Sequence, residues 1–78
     1  PAALSPNPAG HALYFSLPEE DTDRLLTATV YDLGGKIWQQ QSVTGQPLDI
    51  SGLPSGLFFV KVEDENRRVV LLERFIRE

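Results

Sequence analysis

Hydrophobic and polar residues alternate along much of this chain with a period of two. Between residues 26 and 31, the aliphatic Leu26, Ala28 and Val30 alternate with two threonines and a tyrosine. Successive side chains of a β-strand point to opposite faces, so this pattern places the aliphatic residues together on one face of a strand.

The segment 57–62 has the same alternation. The side chains predicted to point inward are Phe58, Val60 and Val62. Lys61 is predicted to point outward as an exposed charge. Because Phe58 and Phe59 are adjacent, they must point to opposite faces, and one of them is expected to be less buried.

Further strand candidates span residues 11–17, 37–43 and 68–76, with short edge pieces at 3–4 and 48–50. Turn-forming segments separate them: Asp32–Lys36, Ser51–Gly56 and Glu63–Asn66. Gly35 and Gly56 supply conformations with positive φ in such turns, and Asn66 is expected to do so in the last one. About six to seven short strands with turns at this spacing predict an all-β antiparallel sandwich or a small barrel.

The charge balance excludes one class of partner and leaves another open. The net charge of −4 argues against nucleic acid, which is bound by clustered Lys and Arg. No apolar run has the roughly 20 residues that a transmembrane helix needs, so membrane insertion is not expected. Four of the seven basic residues nevertheless lie near the C-terminus, as a docking feature would require. The chain begins at Pro1 without Met or a signal peptide, and we interpret it as a segment of a longer protein.

The residues for catalysis are missing or isolated. The chain has one histidine, His11, no cysteine, and no serine in a Gly-x-Ser-x-Gly setting. The acidic run 19–23 lacks the EF-hand pattern, and Gly34-Gly35-Lys36 lacks the spacing of a phosphate loop. We therefore predict no enzyme activity, no cofactor and no metal site.

Two non-catalytic alternatives to a signal or docking role remain. Exposed aromatic residues such as Trp38 or Phe59 would favour a carbohydrate-binding or adhesion module. A domain of this size could also serve as a structural accessory to a secreted enzyme.

An ordered set of motifs covers nearly the whole chain. Pro6-Asn7-Pro8 lies near the start, Asp32 precedes Gly35-Lys36, and the segment 48–58 contains Leu53-Pro54-Ser55-Gly56 followed by Leu57-Phe58. The chain closes on Arg74-Phe75-Ile76-Arg77-Glu78. This order resembles the C-terminal sorting domain of the type IX (Por) secretion system, type A. Phe58 stands where that family often has Tyr, and the terminal Glu78 is less typical of it.

The resemblance implies a seven-stranded immunoglobulin-like sandwich without catalysis. It implies an N-terminal cargo domain in the same parent chain, which passes through the periplasm and crosses the outer membrane to the cell surface or the medium. It also implies two partners, the type IX translocon and a sortase-like signal peptidase that removes the domain.

The resemblance and the pattern together assign residues to roles. Residues 1–10 are predicted to be a linker boundary and entry segment, and residues 11–78 the sandwich. An open sheet edge would permit weak homodimerisation. The family motif and turn positions are Pro6, Asn7, Pro8, Asp32, Gly35, Lys36, Leu53, Gly56 and Phe58. The residues expected to be recognised during sorting are Lys61, Arg74, Phe75, Ile76 and Arg77, since an extended end can add to a partner's sheet.

Overall fold

The computed structural model of this chain describes residues 3–5, 10–16, 25–43 and 47–78. Its strands are β1 (Ala3–Ser5), β2 (Ala12–Ser16), β3 (Leu26–Asp32), β4 (Ile37–Val43), β5 (Leu48–Asp49), β6 (Gly56–Glu63) and β7 (Val69–Arg77). The described residues include no helix, and therefore none that could cross a membrane.

The strands form two antiparallel sheets. The smaller sheet has the order β1-β2-β5, and the larger has the order β4-β3-β6-β7. In the larger sheet β3 lies between β4 and β6, so strands distant in the sequence become neighbours. β4 and β7 are the edge strands of that sheet.

The core lies between the two sheets. The larger sheet contributes residues at alternate positions, in register across strands: Ala28 pairs with Val62 and Val30 with Val60. The smaller sheet and the turn after it contribute the rest. The buried hydrophobic residues are Leu13, Leu26, Ala28, Val30, Val43, Leu48, Ile50, Leu53, Phe58, Val60, Val62, Leu71 and Phe75. Removing these side chains from water is the main favourable term in folding a chain this short.

The predicted all-β sandwich and its inward-facing residues are confirmed. Phe58 is buried and Phe59 is half-buried, as their adjacency requires. The expectation for Asn66 is wrong: the left-handed residue of that turn is Arg67, with φ 64°.

Two sequence predictions concern the first part of the chain. β1 pairs with β2 and so belongs to the smaller sheet; the boundary at residue 10 stays a prediction. Pro6, Asn7 and Pro8 and the acidic run 19–23 lie outside the described residues.

Candidate functional site

The residues expected to be recognised lie on and beside β7, the last strand of the chain. Within the described residues, β7 pairs only with β6. The register places Arg74 opposite Phe59, Phe75 opposite Phe58, and Ile76 opposite Leu57. Because neighbouring side chains of a strand point to opposite faces, the predicted set does not lie on one surface.

Phe75 is a core residue. Its side chain is fully buried, and its ring stacks on Phe58 with centroids 5.9 Å apart and an interplanar angle of 25°. Trp38 meets the same Phe58 ring edge-on at 5.9 Å. Phe75 therefore holds β7 against the sandwich and offers a partner no exposed surface.

Arg77 also acts inside the domain. Its Nε donates to the carbonyl oxygen of Ile50 at 3.1 Å, and its Nη2 donates to that of Ser51 at 3.3 Å. Both carbonyls belong to the turn after β5, which is a strand of the other sheet. The guanidinium thus connects the end of β7 to the smaller sheet.

Arg74 and Ile76 lie on the opposite, outer face. Both side chains are exposed. Lys61 shares this face and lies opposite Leu72; its Nζ is 3.5 Å from the Glu63 carboxylate. Of the five predicted residues, the fold therefore brings Lys61, Arg74 and Ile76 to one surface and directs Phe75 and Arg77 inward.

The Asp32 motif is a hairpin organised by one carboxylate. Asp32 Oδ1 accepts the backbone N–H groups of Gly34 and Lys36, both at 3.0 Å, and Oδ2 accepts the Trp38 indole N–H at 3.0 Å. The Lys36 ammonium lies 4.2 Å from the centroid of the Trp38 ring. The indole hydrogen bond first, and then the Lys36 amide, lower the pKa of Asp32 below 3.8.

Gly35 completes this turn. Its φ is +90°, and its N–H donates to the carbonyl oxygen of Asp32 at 3.0 Å. A three-residue loop closed in this way needs a residue with positive φ, which glycine adopts without steric cost. The spacing of Asp32, Gly35 and Lys36 is therefore explained by the geometry of the turn.

The hairpin between β6 and β7 repeats the same geometry. Asp64 Oδ1 accepts the N–H groups of Asn66 at 2.9 Å and Arg68 at 2.8 Å, and Oδ2 lies 3.2 Å from the Arg68 Nε. The Arg68 amide is the main cause of a lowered Asp64 pKa. Asp64, Arg67 and Arg68 thus take the places of Asp32, Gly35 and Lys36. The two turn sequences share only the Asp and a basic residue four positions after it.

The Leu53 and Gly56 motif shapes the connection into β6. Leu53 is buried, its N–H donates to the carbonyl of Ile50 at 3.0 Å, and Gly56 begins β6 with φ +143°. Asp49 accepts the Ser51 hydroxyl at 2.7 Å and the Ser51 N–H at 2.9 Å, which lowers the Asp49 pKa. This turn carries the carbonyls that Arg77 binds.

A family model described as "Secretion system C-terminal sorting domain" matches residues 3–77. The chain belongs to this family. It is a C-terminal sorting signal of type IX secretion, attached to a cargo protein that is exported across the outer membrane to the cell surface or extracellular space. No curated protein gives a significant match.

Apart from Ile76 and Phe59, which the sequence singled out, the sorting domain also has exposed apolar residues that were not predicted. The outer face of its larger sheet is apolar at the end near the Asp32 hairpin. Tyr31 and Phe59 stack there, with centroids 5.6 Å apart and an interplanar angle of 18°. Around them are exposed aliphatic side chains: Leu33 (76% exposed), Ile37 (59%), Leu72 (58%), Ile76 (51%) and Leu57 (40%).

The sequence contains a pattern that could have predicted these exposed apolar residues. Leu57, Phe58 and Phe59 are consecutive, as are Phe75 and Ile76. A strand with one solvated face should alternate apolar and polar residues, so consecutive apolar residues indicate a strand that is apolar on both faces.

Of the chemical candidates, the structure describes His11 but not the acidic run. His11 is exposed, and its carbonyl accepts the Ile50 N–H at 2.9 Å. Among the described residues, no three acidic or histidine side chains cluster as metal ligands would.

Proposed function

We propose that this sorting domain acts without catalysis, by presenting β7 and the adjoining outer face to the type IX translocon after its cargo has entered the periplasm. The observation that carries the proposal is the family match over residues 3–77, to which the position of β7 adds a physical basis. In the sheet that the described residues form, β7 is an edge strand paired with β6, and edge strands are sites where a partner can add a strand.

The recognition residues in this proposal have two different tasks. Arg74, Ile76 and Lys61 contact the partner, because they share the outer face. Phe75 and Arg77 hold the strand in place from the other side, through the Phe58 ring and the turn carbonyls. A sortase-like protease then removes the domain on the N-terminal side of the sandwich.

The test is a fusion of residues 1–78 to the C-terminus of a soluble periplasmic reporter, expressed in a host with type IX secretion. The reporter should reach the medium or cell surface in that host and stay in the periplasm of a matched strain without the translocon. The reporter without the domain is the control. Retention of the fusion in both strains would contradict the proposed role.

Carbohydrate binding is the alternative that a specific feature favours, because Tyr31 and Phe59 stack on an open face. Trp38 is poorly suited to it, since its N–H is bound by Asp32 and the Lys36 ammonium lies near its ring. A glycan array distinguishes the alternatives: glycan binding that Phe59→Ala abolishes would support a sugar-binding module.

A further inference from the structure

The apolar end of the outer face is a candidate interaction surface. We call it the outer patch and define it as Tyr31, Leu33, Ile37, Leu57, Phe59, Leu72, Arg74 and Ile76. The other end of the same face is polar, with Thr27, Ser42 and Gln40 beside Lys61 and Glu63. Adjoining exposed apolar side chains of this kind mark interaction sites on soluble domains.

The register shows that the outer patch is continuous. Ile37, Tyr31, Phe59 and Arg74 form one row across all four strands, each opposite the next. Leu57 and Ile76 are paired on one side of this row, and Leu72 lies on the other. All residues of the outer patch except Leu33 lie on strands. The surface is therefore pre-formed, and binding has to offset little loss of conformational entropy.

The outer patch contains an open hollow of about 510 Å³. Tyr31, Leu33, Phe59 and Leu72 line it together with the charged Asp32, Glu73 and Arg74. Such a volume accommodates one large apolar side chain, which would stack on the aromatic pair as an interface anchor does.

The charges beside the hollow indicate what else the partner carries. Both oxygens of Asp32 already accept hydrogen bonds from its own hairpin. Of the basic side chains in the described residues, most are engaged: Lys36 by Trp38, Lys61 by Glu63, Arg68 by Asp64, and Arg77 by carbonyls. Arg74 makes no such contact within the described part of the chain. It is therefore available to a carboxylate beside the anchored side chain, where apolar surroundings strengthen the ion pair.

We propose that the outer patch binds an extended segment of the export machinery that presents a large apolar side chain to the hollow and a neighbouring Asp or Glu to Arg74. This inference rests on the proposed function and names the surface and the chemistry of its partner. Glu73 borders the hollow, but its pairing with Val60 directs its side chain to the other face of the sheet, away from the bound segment. An anionic membrane is disfavoured, because Arg74 is the one arginine that the described residues place on this surface, and it does not form the basic cluster that such membranes attract.

The first experiment uses the reporter fusion with two patch variants, Leu72→Ser and Arg74→Glu. The matched controls are Val69→Ser, an exposed apolar residue of the same strand outside the patch, and Arg67→Glu, an exposed arginine of the adjoining turn. We expect each patch variant to lower export about tenfold or more, as losing an interface anchor does, and the controls to stay within about twofold. Thermal melts of the purified domains establish that all four variants fold.

The second experiment titrates the isotope-labelled domain with two synthetic peptides, one of alternating Leu and Glu and one of alternating Leu and Lys. Backbone amide shifts should change at Phe59, Leu72 and Arg74 with the acidic peptide, and the change should disappear in the Arg74→Glu variant. Equal shifts with the basic peptide would overturn the charge assignment. Shifts at the same residues when the domain alone is concentrated would mean that a second copy covers the patch. That result would overturn the proposal that the export machinery binds it.

The two proposals fail in different ways. A wild-type fusion that is not exported contradicts the sorting role itself. A wild-type fusion that is exported, with folded Leu72→Ser and Arg74→Glu variants exported equally well, overturns the outer patch alone.

Discussion

At the scale of single residues, the two Asp-centred hairpins have different residue types at the position with positive φ. Gly35 occupies the positive-φ position of the first, whereas Arg67 occupies it in the second. A side chain on a left-handed residue brings its Cβ close to the following carbonyl, which costs about 1–2 kcal/mol. Arg67 is thus a strained residue within an otherwise regular turn.

Substitutions at these two positions should have opposite effects on the free energy of unfolding. Arg67→Gly is expected to raise the free energy of unfolding by roughly 0.5–1 kcal/mol, because it relieves this strain. Gly35→Ala should lower it by about 1–2 kcal/mol through the backbone alone, since a Cβ there meets nothing within 4 Å. Urea denaturation measures both. A destabilised Arg67→Gly variant would show that the arginine side chain contributes more than its backbone costs.

At the scale of elements, each hairpin depends on an ionised aspartate. Hydrogen bonds from backbone amides lower the pKa values of Asp32 and Asp64, in Asp32 together with the larger effect of the indole N–H. As the pH falls, the unfolded chain therefore takes up these protons before the folded one does. The resulting stabilisation is fully present above the ordinary aspartate pKa of 3.8 and is lost as the pH falls through the lower folded values.

The double variant Asp32→Asn/Asp64→Asn tests this dependence. Its melting temperature should be lower than that of the wild type at neutral pH, because the Asn amide cannot replace both accepting oxygens. It should also vary less between about pH 5 and about pH 2.5, since two of the titrating groups are gone. Circular dichroism melts across this range provide the measurement, with Glu65→Gln, an exposed residue of the second hairpin, as the control. Identical pH profiles for wild type and double variant would contradict the role of the two carboxylates.

Element boundaries could largely be predicted from the sequence, because period-two alternation and turn residues are local signals. Ile37–Val43 appears as a strand with the bounds that the pattern gave. The exception inside it is Trp38, which has no partner in the register because Val30 pairs with Gln39 and Tyr31 with Ile37. That bulge was not predictable, since it results from the indole's hydrogen bond to Asp32 and its contact with Phe58.

At the scale of the whole molecule, the C-terminal strand belongs to the core as much as to the surface. The Phe75 ring stacks on Phe58 in the core, and Arg77 donates hydrogen bonds to carbonyl oxygens of the turn after β5. Deleting residues 74–78 would therefore remove both core packing and recognition. Loss of export after such a deletion does not distinguish unfolding from a lost contact.

Substitutions on the two faces of β7 separate these effects. Phe75→Ala should lower the free energy of unfolding by about 3–5 kcal/mol, a large part of the roughly 4–12 kcal/mol expected for a domain of this size. Ile76→Ala, on the outer face, should change it by less than about 1 kcal/mol. Chemical denaturation of both variants gives the comparison. Equal losses would show that the outer face is packed against something within the domain.

The sequence by itself determined the strands, their turns and the family, because alternation, glycine spacing and motif order are properties of the chain as written. Only the tertiary structure decided which face of β6 and β7 is the outside. Both faces of these strands carry large apolar residues, so hydrophobicity alone does not choose between them. Phe58 and Phe75 are buried in the core, whereas Phe59, Leu72 and Ile76 lie on the other face of the sheet. That choice arises from long-range packing, and it separates the residues that hold the domain together from those available to a partner.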